Sequence, residues 1–333
     1  MEKTESALEK MVNKEKAVYL YQHMLRIRMV EQEIANRYNG EIREMHTPIH
    51  LCDGQEAVAV GVCSNLEVSD IIFSTHRCHG HYLAKGGDLV AMIAELHTKE
   101  TGCCHGMGGS MHLTDKEAGV GVSSAIVGGN VSIATGYALA LKQQRKNNVS
   151  VVFLGDGASE EGSVYESICF ARIHNLPVLY VCENNLYAIS TDFSTREPLQ
   201  TVSDKFRTIV ETKVIDGNNV FEVAEVSDKI ISNMKSNKSG PFFLECNTYR
   251  LRDHHNVNIG VSSGYRSQEE WDKWNNYSPI KNAQEKLRKN RWMSEADEKV
   301  LKEQINQEIQ EAFRKAHEAP LPSVENMSKY LWG

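Results

Sequence analysis

The sequence predicts an α/β fold with a mostly parallel central sheet and helices on both faces. Two apolar runs carry this expectation. Val151-Val-Phe-Leu154 stops at Gly155-Asp156-Gly157, and Val178-Leu-Tyr-Val181 stops at Glu183-Asn184-Asn185. Such continuous apolar strands suit a sheet covered on both faces. Between them Val164 to His174 has helical spacing, so the segment reads as one βαβ unit. Both strands then end at the same sheet edge, where Asp156 and Asn185 can converge on one ligand. A carboxylate and an amide oxygen suit Mg2+ or Ca2+, with further positions left for water and phosphate oxygens. Gly155 and Gly157 would let backbone come close to that ligand.

Composition narrows the classes. The chain has 333 residues, a formal charge of -7 and 8 cysteines. Its pI is near 6.0 and its mean hydropathy -0.42. The acidic balance argues against nucleic acid as the main partner. No apolar run is long enough to span a membrane. The charged start, MEKTESALEKMVNKEK, lacks the apolar core of a secretory leader. Scattered cysteines without Cys-x-x-Cys spacing suggest reduced thiols and a cytoplasmic location.

In chain order, Glu15 to Asn39 reads as an amphipathic helix with Leu20, Met24, Ile27, Val30 and Ile34 on one face. His46 and His50 precede a small-residue helix, Ala57 to Asn65. Asp70 to Thr75 reads as a buried strand running into a loop, His76-Arg77-Cys78-His79-Gly80-His81. That loop has three readings: its histidine spacings suit zinc, Arg77 suits an anion such as phosphate, and solvated surface histidines need no ligand at all. A helix from about Asp88 leads into the glycine-rich Gly102 to His112, which lacks the Gly-Lys-Ser/Thr of a Walker A loop. Ser124 to Asn130 reads as a pocket-lining loop before the tightly packed helix Val131 to Leu141.

Beyond the central unit, Val202 to Ile209 reads as helix, Lys213 to Asn219 as strand and turn, Val220 to Ser236 as helix and Gly240 to Thr248 as strand. Val257 to Gly264 reads as a mobile loop. Helices start at Gln268 and Pro279, and Ser294 to Ala316 is a long helix with a solvated charged face. Tyr330-Leu-Trp-Gly333 is apolar enough to dock. No Gly-x-Gly-x-x-Gly follows a strand and opens a helix, which argues against a nicotinamide Rossmann protein.

Gly155-Asp-Gly157, the spacer Ala158 to Glu183 and then Asn184-Asn185 resemble the thiamine diphosphate signature of one family: the α subunit of the E1 component of 2-oxo acid dehydrogenases, of pyruvate, branched-chain or acetoin type. Further pieces resemble that family in order: Gly54-Gln-Glu-Ala57, Arg77-x-His-Gly-His81, Gly108-Gly-Ser-Met-His112, Ile126-Val127-Gly128, Tyr187-Ala-Ile-Ser-Thr191, Thr248-Tyr-Arg250 and Tyr265-Arg266. The resemblance runs from about Leu20 to Trp274. It implies a thiamine-diphosphate-binding fold, with an N-terminal helical extension over 1–40, the diphosphate-binding domain over 41–275 and a helical tail over 276–333.

The resemblance also implies roles. Asp156, Asn185 and the Tyr187 carbonyl would hold Mg2+, while the Gly157 and Ala158 backbone and Arg77 would contact the diphosphate. His76 stands where relatives commonly carry a Tyr that touches the phosphates. Val127 would lie beneath the bend of the cofactor and Ala125 beside its aminopyrimidine. His254, His50 and His79 would be the active-site histidines. The cofactor's cationic ring would act as electron sink when CO2 leaves a 2-oxo acid, and the acyl group would pass to a lipoyl carrier on an E2 component. The glutamate that activates the aminopyrimidine would come from a separate β subunit in an α2β2 assembly. Other thiamine-dependent reactions (acetoin cleavage, carboligation) and a non-catalytic assembly subunit are the alternatives. The chain departs from the family at Asp253-His254-His255-Asn256, so phosphorylation of the serine that some relatives carry in place of His255 is not expected. It departs again at Pro48-Ile49. Both places leave the substrate open.

Overall fold

The structure is a computed structural model that describes residues 13–38, 44–45, 47–237 and 239–330. His46, the first twelve residues of the charged start, and the last three of the apolar C-terminus lie outside the described residues. Among the described residues there are eight strands: β1 (Ile71–Ser74), β2 (Val120–Ser123), β3 (Ser150–Gly155), β4 (Val178–Asn184), β5 (Tyr187–Ala188), β6 (Thr191–Asp192), β7 (Glu211–Asp216) and β8 (Phe242–Asn247). Six form one sheet in the order β2-β1-β3-β4-β8-β7, with every neighbouring pair parallel. β5 and β6 form a small antiparallel hairpin. The α/β expectation holds.

Alternation along β3 and β4 builds a core on each face. Val151, Phe153, Leu179 and Val181 belong to one apolar cluster, together with buried residues of the helices Lys14–Tyr38, Glu56–Cys63, Leu89–Leu96, Val220–Asn237 and Glu295–Glu318. Val152, Leu154, Val178 and Tyr180 belong to the other, with the helices Gly129–Gln143 and Gly162–Ile173. The two central strands are therefore covered on both sides. The first cluster runs from Ala17 to Ala316, so the N-terminal helix and the C-terminal tail share its core.

The helix Lys14–Tyr38 buries Leu20, Met24, Ile27, Val30 and Ile34, the stripe read from the sequence. The helix Glu295–Glu318 opens with a Ser294–Asp297 capping box and buries Leu301, Ile305, Ile309 and Phe313, with Glu298 the one charged residue among its buried ones. Three details differ from expectation. The histidine loop ends at Cys78, because His79 to Ala84 form a helix whose first five residues are buried. Val202 to Lys205 make a single 3-10 turn held by a Thr201–Asp204 capping box, rather than a longer helix. β2 went unread because Val120-Gly-Val-Ser123 is short and contains glycine, which weakens the strand signal.

Candidate functional site

Register places the site. Gly155 of β3 pairs with Glu183 of β4, so the residues just beyond, Asp156 and Asn185, emerge side by side at the carboxyl edge. β1 delivers Thr75, His76 and Arg77 to that edge, β2 leads to Ser124, Ile126 and Val127, and β8 leads to Arg250 and His254. All of these residues line one cavity of ≈ 200 Å³, along with Gly157, Ala158 and Tyr187. Ligands of open parallel sheets bind at such an edge.

Two buried guanidinium groups set the charge of the cavity. Arg77 is 4% exposed and Arg250 1%. Arg77 donates to the carbonyls of Leu51 (2.6 Å) and His254 (2.8 Å). Arg250 donates to the carbonyls of Arg252 (3.0 Å) and Ile189 (2.9 Å) and to the Tyr265 hydroxyl (3.0 Å). Neither forms an ion pair with a carboxylate among the described residues. Burial, with Arg250 nearby, pushes Arg77 down to about 9. Burial, then the neighbouring Arg266, lowers Arg250. A buried cation without a counter-charge is costly, and an anion in this cavity offsets that cost.

The oxygen donors line the same cavity. Asp156 is 1% exposed, and burial raises its carboxyl above the ordinary range, partly offset by Arg196. One guanidinium, that of Arg196, ion-pairs with both Asp156 and Glu160. Asn185 Nδ2 donates to Gln55 Oε1 at 3.3 Å, and its Oδ1 accepts the Tyr187 N–H at 3.2 Å. The loop after Asn185 is tightly turned, since Leu186 and Ile189 adopt φ of 73° and 55°. A Cβ on Gly157 would meet the Ala188 Cβ at 2.7 Å, so close approach to the hairpin requires glycine there. Gly155 has nothing within 4 Å, so its Cβ position is open space beside the cavity. The Arg266 guanidinium lies 4.7 Å from the Tyr187 and Tyr249 ring centres and 4.8 Å from that of Tyr265. Tyr187 in turn donates to Glu270 at 2.9 Å. This cage anchors the far side of the loop.

Three histidines gather beside the arginines. The His50 ring centre lies 4.8 Å from that of His76 and 5.2 Å from that of His254, and His76 lies 5.2 Å from His254. Burial, then Arg77, drives each imidazole far below its usual value, to about 2 for His50 and His254 and about 3 for His76. All three rings are thus neutral near pH 7 and suited to accepting a proton or a hydrogen bond.

The structure moves two expected residues away from the cavity. His79 is fully buried, with Nδ1 2.7 Å from Glu31 Oε1 and Nε2 2.8 Å from the Ser110 hydroxyl. It opens the helix that follows Arg77 and is absent from the cavity wall. Ala125 is also absent from the wall, where Ser124, Ile126 and Val127 stand. Sequence reasoning gave four neighbours of the site no role, although Arg250 and Gln55 stand in the matching pieces Thr248-Tyr-Arg250 and Gly54-Gln-Glu-Ala57. Arg250 was visible as a cation just past a strand end. Gln55 preceded a helix as an ordinary polar residue. Glu31 sat unmarked within an amphipathic helix, and Arg196 carried no signal at all.

Comparison with known proteins places the chain among relatives. Residues 22–325 match the sequence model of the family described as dehydrogenase E1 component. The chain is 36% identical over 310 residues to the acetoin:2,6-dichlorophenolindophenol oxidoreductase α subunit of Bacillus subtilis, covering 92% of this chain and 89% of that one. It is 34% identical over 319 residues to the pyruvate dehydrogenase E1 component α subunit of Zymomonas mobilis, covering 95% and 88%. It is 33% identical over 318 residues to the corresponding subunit of Rhizobium meliloti, covering 95% and 89%.

Proposed function

The chain belongs to the dehydrogenase E1 component family as an E1 α subunit of the 2-oxo acid dehydrogenases, and from that premise we propose that its cavity binds thiamine diphosphate through Mg2+. Family membership implies use of thiamine diphosphate. The observation that carries the rest is the pair of buried guanidinium groups that form no ion pair with a carboxylate among the described residues and line one cavity with a buried carboxylate and amide. Arg77 and Arg250 supply the charge that a diphosphate requires. Asp156, Asn185 and the Tyr187 carbonyl are the oxygen donors that suit Mg2+. The Gly157 and Ala158 backbone would contact the phosphates, and Val127, which lines the same cavity, would give the cofactor an apolar support.

When bound, thiamine diphosphate supplies a cationic ring that takes up the electron pair released as CO2 leaves. The protein binds, orients and moves protons. His50 and His254, both neutral, are the acid-base groups. His76 donates a hydrogen bond toward the phosphates. His79 acts as a positioning residue: its partner Glu31 also accepts the Cys52 N–H at 2.6 Å, which fixes the segment carrying His50.

The reaction we propose is oxidative decarboxylation of a 2-oxo acid with acyl transfer to a lipoyl carrier on an E2 component, in an α2β2 assembly in the cytoplasm. Ile126 and Val127 stand 72% and 49% exposed beside the cavity, an apolar surface suited to the β subunit that would complete the site. The boundaries near residues 40 and 275 then divide function rather than folding, since one core spans both. Acetoin cleavage is the second reading, favoured by the printed activity of the Bacillus subtilis relative. Mixing this chain with its β partner and assaying 2-oxo acids and acetoin with a dye acceptor, with and without a lipoyl domain, tests both. Turnover of neither class would remove the proposal.

A further inference from the structure

We propose that Cys103 and Cys104 are a vicinal dithiol, a modification site that a small disulfide closes reversibly into a ring and that a trivalent arsenical bridges. Their sulfurs and a Glu95 carboxylate oxygen all lie within 4.8 Å of one another, so the two adjacent side chains share one side of the chain. Both cysteines are half-buried, whereas Cys52, Cys63, Cys78, Cys182 and Cys246 are buried. Cys169, the other half-buried one, has no cysteine beside it in sequence. Glu95 is fully buried, and its carboxylate already accepts the N–H groups of Cys104 (2.8 Å), Gly106 (2.9 Å), Gly108 (2.7 Å) and Gly109 (2.9 Å). The carboxylate is committed to the backbone, which leaves the two sulfurs as the reactive pair.

The chemistry runs by thiol–disulfide exchange with a small disulfide such as oxidised glutathione. A hydrogen bond shared with Cys104, then burial, pushes the Cys103 thiol far up, so Cys103 is the poorer nucleophile and Cys104 attacks first. The Cys104 thiolate bonds to one glutathione sulfur and releases one glutathione thiolate. Cys103 then loses its proton and attacks the Cys104 sulfur, which releases the second. Two thiols are oxidised, one disulfide is reduced, and two protons pass to the departing thiolates. Consecutive Cα atoms stand about 3.8 Å apart, short of the roughly 4.4–6.8 Å that an ordinary disulfide spans. The ring is therefore strained, easily reduced again, and forms only if the backbone moves. That movement acts on a wound loop: His105, Gly106 and Gly109 adopt φ of 57°, 74° and 66° around the Glu95 carboxylate. Oxidation also removes the thiol hydrogen that Cys104 gives to the His112 carbonyl at 2.9 Å. The loop continues to Ser110, whose hydroxyl lies 2.8 Å from His79 Nε2 and whose carbonyl accepts the Cys78 thiol at 3.2 Å. Closing the ring thus loosens a segment packed against the helix that follows Arg77.

The test treats the reduced full chain with oxidised glutathione and, separately, with phenylarsine oxide. Peptide mass spectrometry should find the peptide carrying Cys103 and Cys104 two hydrogens lighter after glutathione disulfide and restored by dithiothreitol. Phenylarsine oxide should bind the reduced chain at one equivalent and the oxidised chain not at all. Hydrogen exchange of the amides at 104, 106, 108 and 109 should run at least about tenfold faster in the oxidised chain. Cys104→Ser keeps a donor for the His112 carbonyl and cannot close the ring. It should bind the arsenical at least about a hundredfold more weakly and show no change in exchange on oxidation. Cys103→Ala serves the same purpose should Cys104→Ser fail to fold. Neither readout involves thiamine diphosphate, so this inference and the proposed function fail separately. Three results would overturn the proposal: glutathione retained on Cys104 without ring closure, arsenical binding of equal strength in a folded variant, or unchanged exchange in the oxidised parent.

Discussion

The guanidinium of Arg196 sits on the carboxylate of Asp156, the position that a cation bound to that carboxylate would claim. It also holds Glu160, so it bridges the turn after β3 to the short helix Phe193–Arg196 beyond the hairpin. A metal at Asp156 must displace or share this guanidinium.

Arg196→Met should therefore have two opposed effects. Without Mg2+ the variant loses roughly 2–4 kcal/mol, because a buried carboxylate is left without its partner. With Mg2+ much of that loss returns, and Mg2+ alone binds more tightly because nothing competes for Asp156. Thermal melts with and without Mg2+ should show a larger metal-induced shift in the variant than in the parent. Equal shifts would mean that the cation does not use Asp156.

The histidine trio predicts an acid-labile fold. Folded-state values near 2 to 3 lie below the ordinary imidazole value of 6.5. The unfolded chain thus binds more protons between those limits, and stability is full above about pH 6.5 and falls as pH drops. Each ring costs about 1 kcal/mol per pH unit in that window. Denaturant unfolding at pH 7.5 and 5.5 should show the drop, and His50→Phe should make it shallower. A parallel pH dependence in parent and variant would contradict the assignment.

Glu31→Gln tests the positioning role of His79. The pair is fully buried, so replacing the carboxylate should cost roughly 3 kcal/mol. The variant should lose kcat, because Glu31 holds the Cys52 N–H beside the His50 segment. A variant with normal kcat and lowered stability would leave the network a purely structural one.

Gly157→Ala and Gly155→Ala should separate packing from ligand space. A methyl at 157 meets Ala188 and must displace the hairpin, whereas a methyl at 155 meets no protein atom. Gly157→Ala should lower both melting temperature and cofactor affinity, and Gly155→Ala should lower affinity alone. Normal affinity in Gly155→Ala would place the ligand elsewhere.

Much of this architecture was legible from periodicity. The continuous apolar run Val151 to Leu154 and the stripe on Lys14–Tyr38 are local patterns that burial enforces. Asp156 and Asn185 could be paired because parallel strands share one edge. What escaped was nonlocal. His79 and His81 lie near Arg77 in sequence, yet the helix they open turns them inward, toward Glu31 and toward Ser74 and Phe153. Arg196 meets Asp156 only after the chain has passed through β4 and the hairpin, and spacing does not encode such a contact. The short strand β2, with a glycine and a serine among its four residues, lacks the continuous apolar run that marks β3 and β4.

The central claim is that Asp156 and Asn185 hold a metal against a diphosphate that Arg77 and Arg250 receive. Calorimetry of thiamine diphosphate added to this chain with its β partner, with Mg2+ and with a chelator, tests it most directly. The account predicts binding in Mg2+, none in chelator, and at least about tenfold weaker binding in Asp156→Asn. Binding of equal strength in all three conditions, or none in any of them, would contradict it.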